Sequence, residues 1–155
     1  MTYHIRGLDA AEFQPIFNLD DNELARRGIL RLTADTAPGF PCRISLEDAS
    51  VGEIVYLLNY ESHKTRSPYR SAYAIYVRGH AKKAAHYKDQ LPPVLIGRPI
   101  ALRFFDNEGL LVGADLDISG ELAQKIEKAF DNESVSYIHA HNAMHGCFAA
   151  QISRH

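Results

Sequence analysis

The residues best able to do chemistry gather near the C-terminus, in Tyr137-Ile138-His139-Ala140-His141-Asn142-Ala143-Met144-His145-Gly146-Cys147. Read as two antiparallel strands joined through residues 142–146 with His141 opposite Cys147, the segment places Ala140 against Phe148 and Ile138 against Ala150 on one apolar face. The other face then carries Tyr137, His139, His141 and Cys147. A slip of one residue would put the histidines among Phe148 and Ile152, so the hydrophobic pattern selects this register. Opposed side chains in such a pair have Cβ atoms ~4.5–5.5 Å apart. At that distance His141 could take the proton of Cys147 and hold it as a nucleophilic thiolate, making these two the catalytic pair of a thiol enzyme. The competing reading is an inert thiol that fills space, with the histidines bonded to backbone. A third uses the same residues as ligands: His139, His141 and Cys147 could hold zinc or another transition metal with a fourth position open.

Two further groups offer recognition in place of chemistry. Pro38-Gly39-Phe40-Pro41-Cys42-Arg43 sets a thiol beside a guanidinium after a rigid turn. In an extended chain the two side chains point to opposite faces, so burial of Cys42 is the expectation unless the fold brings it to Cys147. Asn59-Tyr60-Glu61 leaves one strand, and Ser67-Pro68-Tyr69-Arg70-Ser71 enters the next. Strand ends of this composition can line a pocket in which Arg70 or Arg43 receives a carboxylate or phosphate through paired N–H bonds. The plainer reading is a surface ion pair beside tyrosines with wet hydroxyls. Asp115-Leu116-Asp117-Ile118-Ser119-Gly120 opens like a calcium loop but has Ile126 where the closing glutamate belongs. No phosphate loop, dinucleotide glycine fingerprint, His-Glu-x-x-His, Gly-x-Ser-x-Gly or Cys-x-x-Cys is present.

The elements that must position these residues are mostly strands. An opening strand runs from Tyr3 to Leu8. Asp20 to Gly28 has acids in its first turn, bases in its last and glycine beyond, which predicts a short helix. Ile29 to Thr33 alternates as a strand. Ile54 to Tyr60 is apolar enough to lie centrally in a sheet, Glu61 to Arg70 reads as a loop, and Ala72 to Val77 puts Tyr73, Ile75 and Val77 on one face. Ile100 to Phe105 and Leu110 to Ile118 flank Asp106-Asn107-Glu108-Gly109 as a hairpin. Leu122, Ile126, Ala129 and Phe130 recur at helical spacing after Ser119, the expected N-cap. The basic stretch from Arg78 to Lys88 reads as a solvated helical or loop face. Strands joined by turns, with few helices, predict an α+β fold: a single domain over 1–155, with a largely antiparallel sheet and a few short helices packed on it.

Composition narrows the partners. The 155 residues carry 17 Lys plus Arg against 19 Asp plus Glu, a formal net charge of −2, with eight His and two Cys. A chain of this length buries roughly 68–70% of its unfolded surface and needs no staples. The near-neutral balance argues against nucleic acid, and no run approaches the ~18 apolar residues of a membrane span. The N-terminus lacks a secretory pattern, so the expected location is the cytoplasm, with both cysteines as thiols. No cofactor is expected outside the metal reading, and oligomeric state is not legible.

Taken together, Pro38-Gly39-Phe40-Pro41-Cys42-Arg43, Leu46-Glu47-Asp48-Ala49, Gly52-Glu53, Leu58-Asn59-Tyr60-Glu61, Pro68-Tyr69-Arg70-Ser71 and His139-Ala140-His141-Asn142-Ala143 with Gly146-Cys147 resemble the bacterial family called domain of unknown function 1203. The resemblance implies a stand-alone, cytoplasmic bacterial domain and assigns no catalytic residue. Its motifs fall on Cys42, Arg43, Tyr60, Tyr69, Arg70, His141, Asn142 and Cys147. The expectation is a pocket for a small anionic molecule, formed by Cys42, Arg43, Tyr60, Tyr69, Arg70, Ser71 and Asn142 around the His141/Cys147 pair. The alternative is a non-catalytic binding or interaction module with structural cysteines.

Overall fold

The computed structural model describes residues 2–155. Its strands are β1 (Tyr3–Arg6), β2 (Leu30–Thr33), β3 (Ile54–His63), β4 (Ser71–Arg78), β5 (His86–Lys88), β6 (Ile100–Phe105), β7 (Leu111–Asp117), β8 (Tyr137–Asn142) and β9 (Phe148–Arg154). The helices are α1 (Gln14–Phe17), α2 (Asp21–Arg26) and α3 (Leu122–Phe130). Among the described residues the strands form a six-stranded sheet in the order β5-β1-β9-β8-β6-β7 and a three-stranded sheet in the order β2-β3-β4. Every strand pair in both is antiparallel, giving the α+β architecture that the pattern of strands and turns predicts.

Side-chain alternation builds the larger core. Ile100 and Leu102 of β6, Ile138 and Ala140 of β8, and Ala150 and Ile152 of β9 turn to one face of the six-stranded sheet, where Leu122, Ile126, Ala129 and Phe130 of α3 cover them. Each large aliphatic or aromatic side chain so buried contributes about 1.5–3 kcal/mol, so this stripe fixes which face of the sheet is dry. The opposite face, carrying Tyr137, His139 and His141, meets the three-stranded sheet: His63 of β3 bonds Tyr137, and Tyr73 of β4 packs edge-on against His141. A second core joins Phe13, Leu24, Cys42 and Ile44 to Tyr56, Leu58, Ile75 and Val77 of β3 and β4.

Local signals explain most boundaries. The Asp20 side chain accepts from the Glu23 N–H at 2.8 Å to cap α2, and Gly28 closes it at φ +69°. Gly109 at φ +79° turns the β6–β7 hairpin. Three expectations are corrected. Ser119 is not the N-cap of α3. The cap is Glu121, whose N–H is taken by the Asp117 carboxylate, while the Ser119 hydroxyl turns to the Glu121 side chain. The segment 61–70 is not all loop, because β3 continues through a bulge to His63, which pairs with Ser71. The basic stretch holds a strand, β5, which adds to the edge of the large sheet beside β1.

Candidate functional site

The C-terminal hairpin forms, with its register displaced. Ala140 pairs with Ala150 and His139 with Gln151, but His141 pairs with Phe148, leaving Ala149 as the extra residue of a β-bulge. A bulge lets two successive residues of one strand oppose one of the other, so the face each side chain takes changes at that point. Ala149 and Ala150 therefore both enter the apolar core, and Phe148 falls among the histidines, its ring 5.1 Å from His139 and 5.8 Å from His141. The expected pairings of His141 with Cys147 and of Ala140 with Phe148 are thus replaced. Cys147 lies in the turn, its carbonyl accepting from the Asn142 N–H at 2.9 Å. Among the described residues no hydrogen bond joins Cys147 to an imidazole.

The histidine face is a packed aromatic layer. His139 and His141 are each 1% exposed. His139 Nε2 is 3.2 Å from Gln151 Oε1, and His141 Nδ1 is 2.9 Å from the Gly146 carbonyl. Both partners are acceptors, so each imidazole donates there and keeps its other nitrogen unprotonated. Burial holds His139 down to about 3 and His141 to about 4, with Arg103 and His63 adding to the effect, so both are neutral near pH 7. His63 donates from Nδ1 to the Tyr69 carbonyl at 2.8 Å and accepts the Tyr137 hydroxyl at Nε2 at 2.6 Å. Phe105 packs against both, its ring 4.2 Å from His63 and stacked at 5.4 Å on Tyr137. His139 and His141 share a face, as the metal reading requires. Cys147 does not join them, and among the described residues no group of three His, Cys, Asp or Glu side chains is disposed to hold a metal ion.

The expected pocket divides into two clefts. One, about 370 Å³, is lined by Gly39, Pro41, Arg43, Asn142, His145 and Cys147 together with Leu57 and residues 74–76 of β4. The other, about 360 Å³, contains Tyr69, Arg70, Ser71, Tyr73, Arg103, Phe105, His139 and His141. His141 and Cys147 thus line different clefts. Tyr60 lies in neither: its ring packs on Phe13 and its hydroxyl donates to Glu12 at 2.9 Å. Cys42 is fully buried in the second core, where its sulfur accepts the Ser45 and Arg78 backbone N–H groups at 3.4 and 3.3 Å. Arg70 pairs with Glu61 at 2.5 Å.

Arg43 is held unlike its neighbours. Its backbone is fixed on both sides, the N–H donating to the Tyr76 carbonyl at 2.9 Å and the carbonyl accepting from Leu8 at 2.8 Å. Its side chain is 2% exposed, yet among the described residues Nε and Nη1 have no hydrogen-bond partner. Nearby arginines are satisfied: Arg78 grips Glu53 through two nitrogens at 2.7 and 2.6 Å, and Arg98 donates to Asp48 at 2.6 Å and to the Val94 carbonyl at 2.8 Å. Burial pushes Arg43 down to about 10, and Arg98 works in the same direction. Cys147, Cys42 and Asp48 act against that shift. The guanidinium stays charged at neutral pH, so an unpaired cation sits in the wall of the cleft.

The model of a protein family of unknown function, domain of unknown function 1203, matches residues 39–154. The chain belongs to this family. No curated protein and no solved structure matches it significantly. The residues matched as domain of unknown function 1203 span both clefts, from Gly39 through Cys147. No helix among the described residues is long and apolar enough to cross a membrane.

Four participants lie outside the expected set. Tyr73 shares a face of its strand with Ile75 and Val77, His63 falls in the segment expected to be loop, His145 sits in the hairpin turn, and Arg103 is a cation in the middle of the apolar run Ile100-Ala101-Leu102-Arg103-Phe104-Phe105, a signal in itself.

Proposed function

We propose that the chain binds a small anion, a carboxylate or phosphate, in the cleft lined by Arg43, Asn142, His145 and Cys147. The observation that carries this is the buried guanidinium with Nε and Nη1 unpartnered. A buried N–H without an acceptor costs roughly 1–3 kcal/mol, and such groups in native proteins call for a partner. An anion's oxygens would supply an acceptor to one of these donors and a second to Nη2, because Nε and Nη1 lie on opposite edges of the guanidinium and each shares a two-point fork only with Nη2. The thiol of Cys147 would stand beside the bound molecule. His145 would be the imidazole in the wall of this cleft, while His141 lines the other.

Iodoacetate tests the arrangement, since it is itself a small carboxylate. Bound through its carboxylate at Arg43, it offers its CH2 to Cys147: the S–C bond forms, the C–I bond breaks, iodide leaves and the thiol proton passes to solvent. The rate on Cys147, relative to that of neutral iodoacetamide, is expected to fall about tenfold in Arg43→Met. A ratio unchanged by that substitution overturns the proposal. A non-catalytic binding module is the reading left if anion binding survives Cys147→Ser and no turnover accompanies it.

A further inference from the structure

We infer that the second cleft, lined by His139 and His141, is a site for an aromatic carboxylate. This rests on Arg103 and not on the reading of Arg43. Arg103 projects from β6 and makes no ion pair among the described residues; its one hydrogen bond runs from Nη1 to the Tyr73 hydroxyl oxygen at 2.6 Å, with the guanidinium carbon 5.5 Å from the Tyr73 ring centre. Because that oxygen accepts from Arg103, the hydroxyl keeps its own hydrogen to donate, and among the described residues nothing takes it. A cation and an O–H donor therefore lie side by side with no negative partner, the arrangement that a carboxylate completes.

The remaining walls select a ring. Phe105, Tyr69, His139 and His141 all line the same cleft of about 360 Å³. Phe105 meets Tyr69 edge-on at 6.3 Å and His139 at 5.3 Å, while His141 meets Tyr73 at 4.9 Å. Pairs of this kind favour offset or edge-to-face contact with a further ring. Both imidazoles are uncharged near neutral pH and each keeps one bare nitrogen, so they present acceptors and no competing charge. Arg70 also lines the cleft but is engaged by Glu61, which leaves Arg103 as the cation for the ligand.

The experiment titrates benzoate and, separately, acetate into the full chain, following side-chain NMR signals of Tyr73 and His141. Benzoate is expected to bind saturably and at least fivefold more tightly than acetate at these signals. Arg103→Met should weaken benzoate tenfold or more. Tyr73→Phe, which keeps the ring against His141 and removes the donor, should weaken it about threefold and serves if Arg103→Met does not fold. Arg43→Met should leave benzoate binding here unchanged while removing anion binding in the first cleft, so the two sites fail separately. Benzoate no tighter than acetate, or affinity indifferent to both Arg103→Met and Tyr73→Phe, refutes the inference. Loss of these benzoate shifts in Arg43→Met would refute it as well, by placing the ring in the first cleft.

Discussion

If Arg43 is kept for a ligand, it should cost the unliganded fold stability, and removing it should return that stability. Arg43→Met keeps an unbranched apolar stem of similar length and deletes the charge. Two estimates of the gain converge. Two buried donors, Nε and Nη1, stand unpartnered, at about 1–3 kcal/mol each. The same burial displaces the guanidinium from its ordinary value down to about 10, which corresponds to about 3 kcal/mol against the charged form. Lost attraction to Asp48 and imperfect packing of the new side chain subtract from this, leaving a net stabilisation of about 1–3 kcal/mol. Replacing buried charges with apolar groups has this sign when the charge is poorly compensated. For a chain of this size each kcal/mol moves Tm by about 2–4 °C. Denaturant unfolding of Arg43→Met and wild type in ligand-free, low-anion buffer is the assay, with urea as denaturant because guanidinium chloride supplies its own anion. A midpoint raised at constant m, together with loss of the anion-dependent stabilisation, is the expected pair of results. A variant less stable than wild type by more than 1 kcal/mol would refute the reasoning, since Arg43 would then be a satisfied structural cation.

Three other perturbations follow from the same contacts. His139 and His141 are depressed from the ordinary value of 6.5 to about 3 and about 4; on lowering the pH the unfolded chain takes up both protons near 6.5 and the fold does not. Stability is therefore full above about pH 6.5 and should fall by about 4 kcal/mol between pH 8 and pH 5, about 2 kcal/mol for each imidazole, with His139→Gln removing half of the slope in chemical denaturation at stepped pH. Glu53, held at about 2 by Arg78, adds its loss only below its ordinary 4.5 and so leaves that window clear. Cys147, partly exposed in its cleft, should react with a disulfide reagent in the native state, while Cys42, fully buried and accepting two N–H groups, should react only on unfolding; equal native rates would contradict the placement of Cys42. Gly109→Ala should destabilise by more than 1 kcal/mol in thermal unfolding, because the residue sits at φ +79° and a Cβ there would lie 2.3 Å from the Thr65 hydroxyl oxygen.

Much of the fold was legible because its signals are local. Asp20 and Gly28 mark the two ends of α2 by capping chemistry that needs no tertiary contact. The apolar stripe of α3 and the alternation in β4, β6 and β8 report the core directly. Where the reading failed, a distant partner had overridden the local preference. Polar residues 61–63 stay in β3 because His63 pairs with Ser71 and buries its ring against Phe105 and Tyr137. Ser119 yields its expected capping role because the Asp117 carboxylate reaches the Glu121 N–H first. The short strand β5 exists because β1 offers it an edge.

The hairpin shows why a site is harder to read than a fold. Parity correctly places His139 and His141 on one face, since residues two apart on a strand share a face whatever its register with the neighbour. It could not place Cys147, because one unpaired residue, Ala149, reverses parity beyond it and no pattern in the Ala149-Ala150 dipeptide reveals which alanine is extra. That single residue moves Phe148 to the histidine side and leaves Cys147 in the turn, outside the pairing with His141 and in the wall shared with Arg43. The thiol is thereby taken out of the strand pairing with His141 and lines a cleft together with a cation. A thiolate can be stabilised by either kind of neighbour, but only a cation also recruits an anionic molecule to the sulfur. On the proposed anion site, the bulge therefore sets Cys147 in the cleft wall with Arg43, whereas the pairing without it would have put the thiol opposite His141.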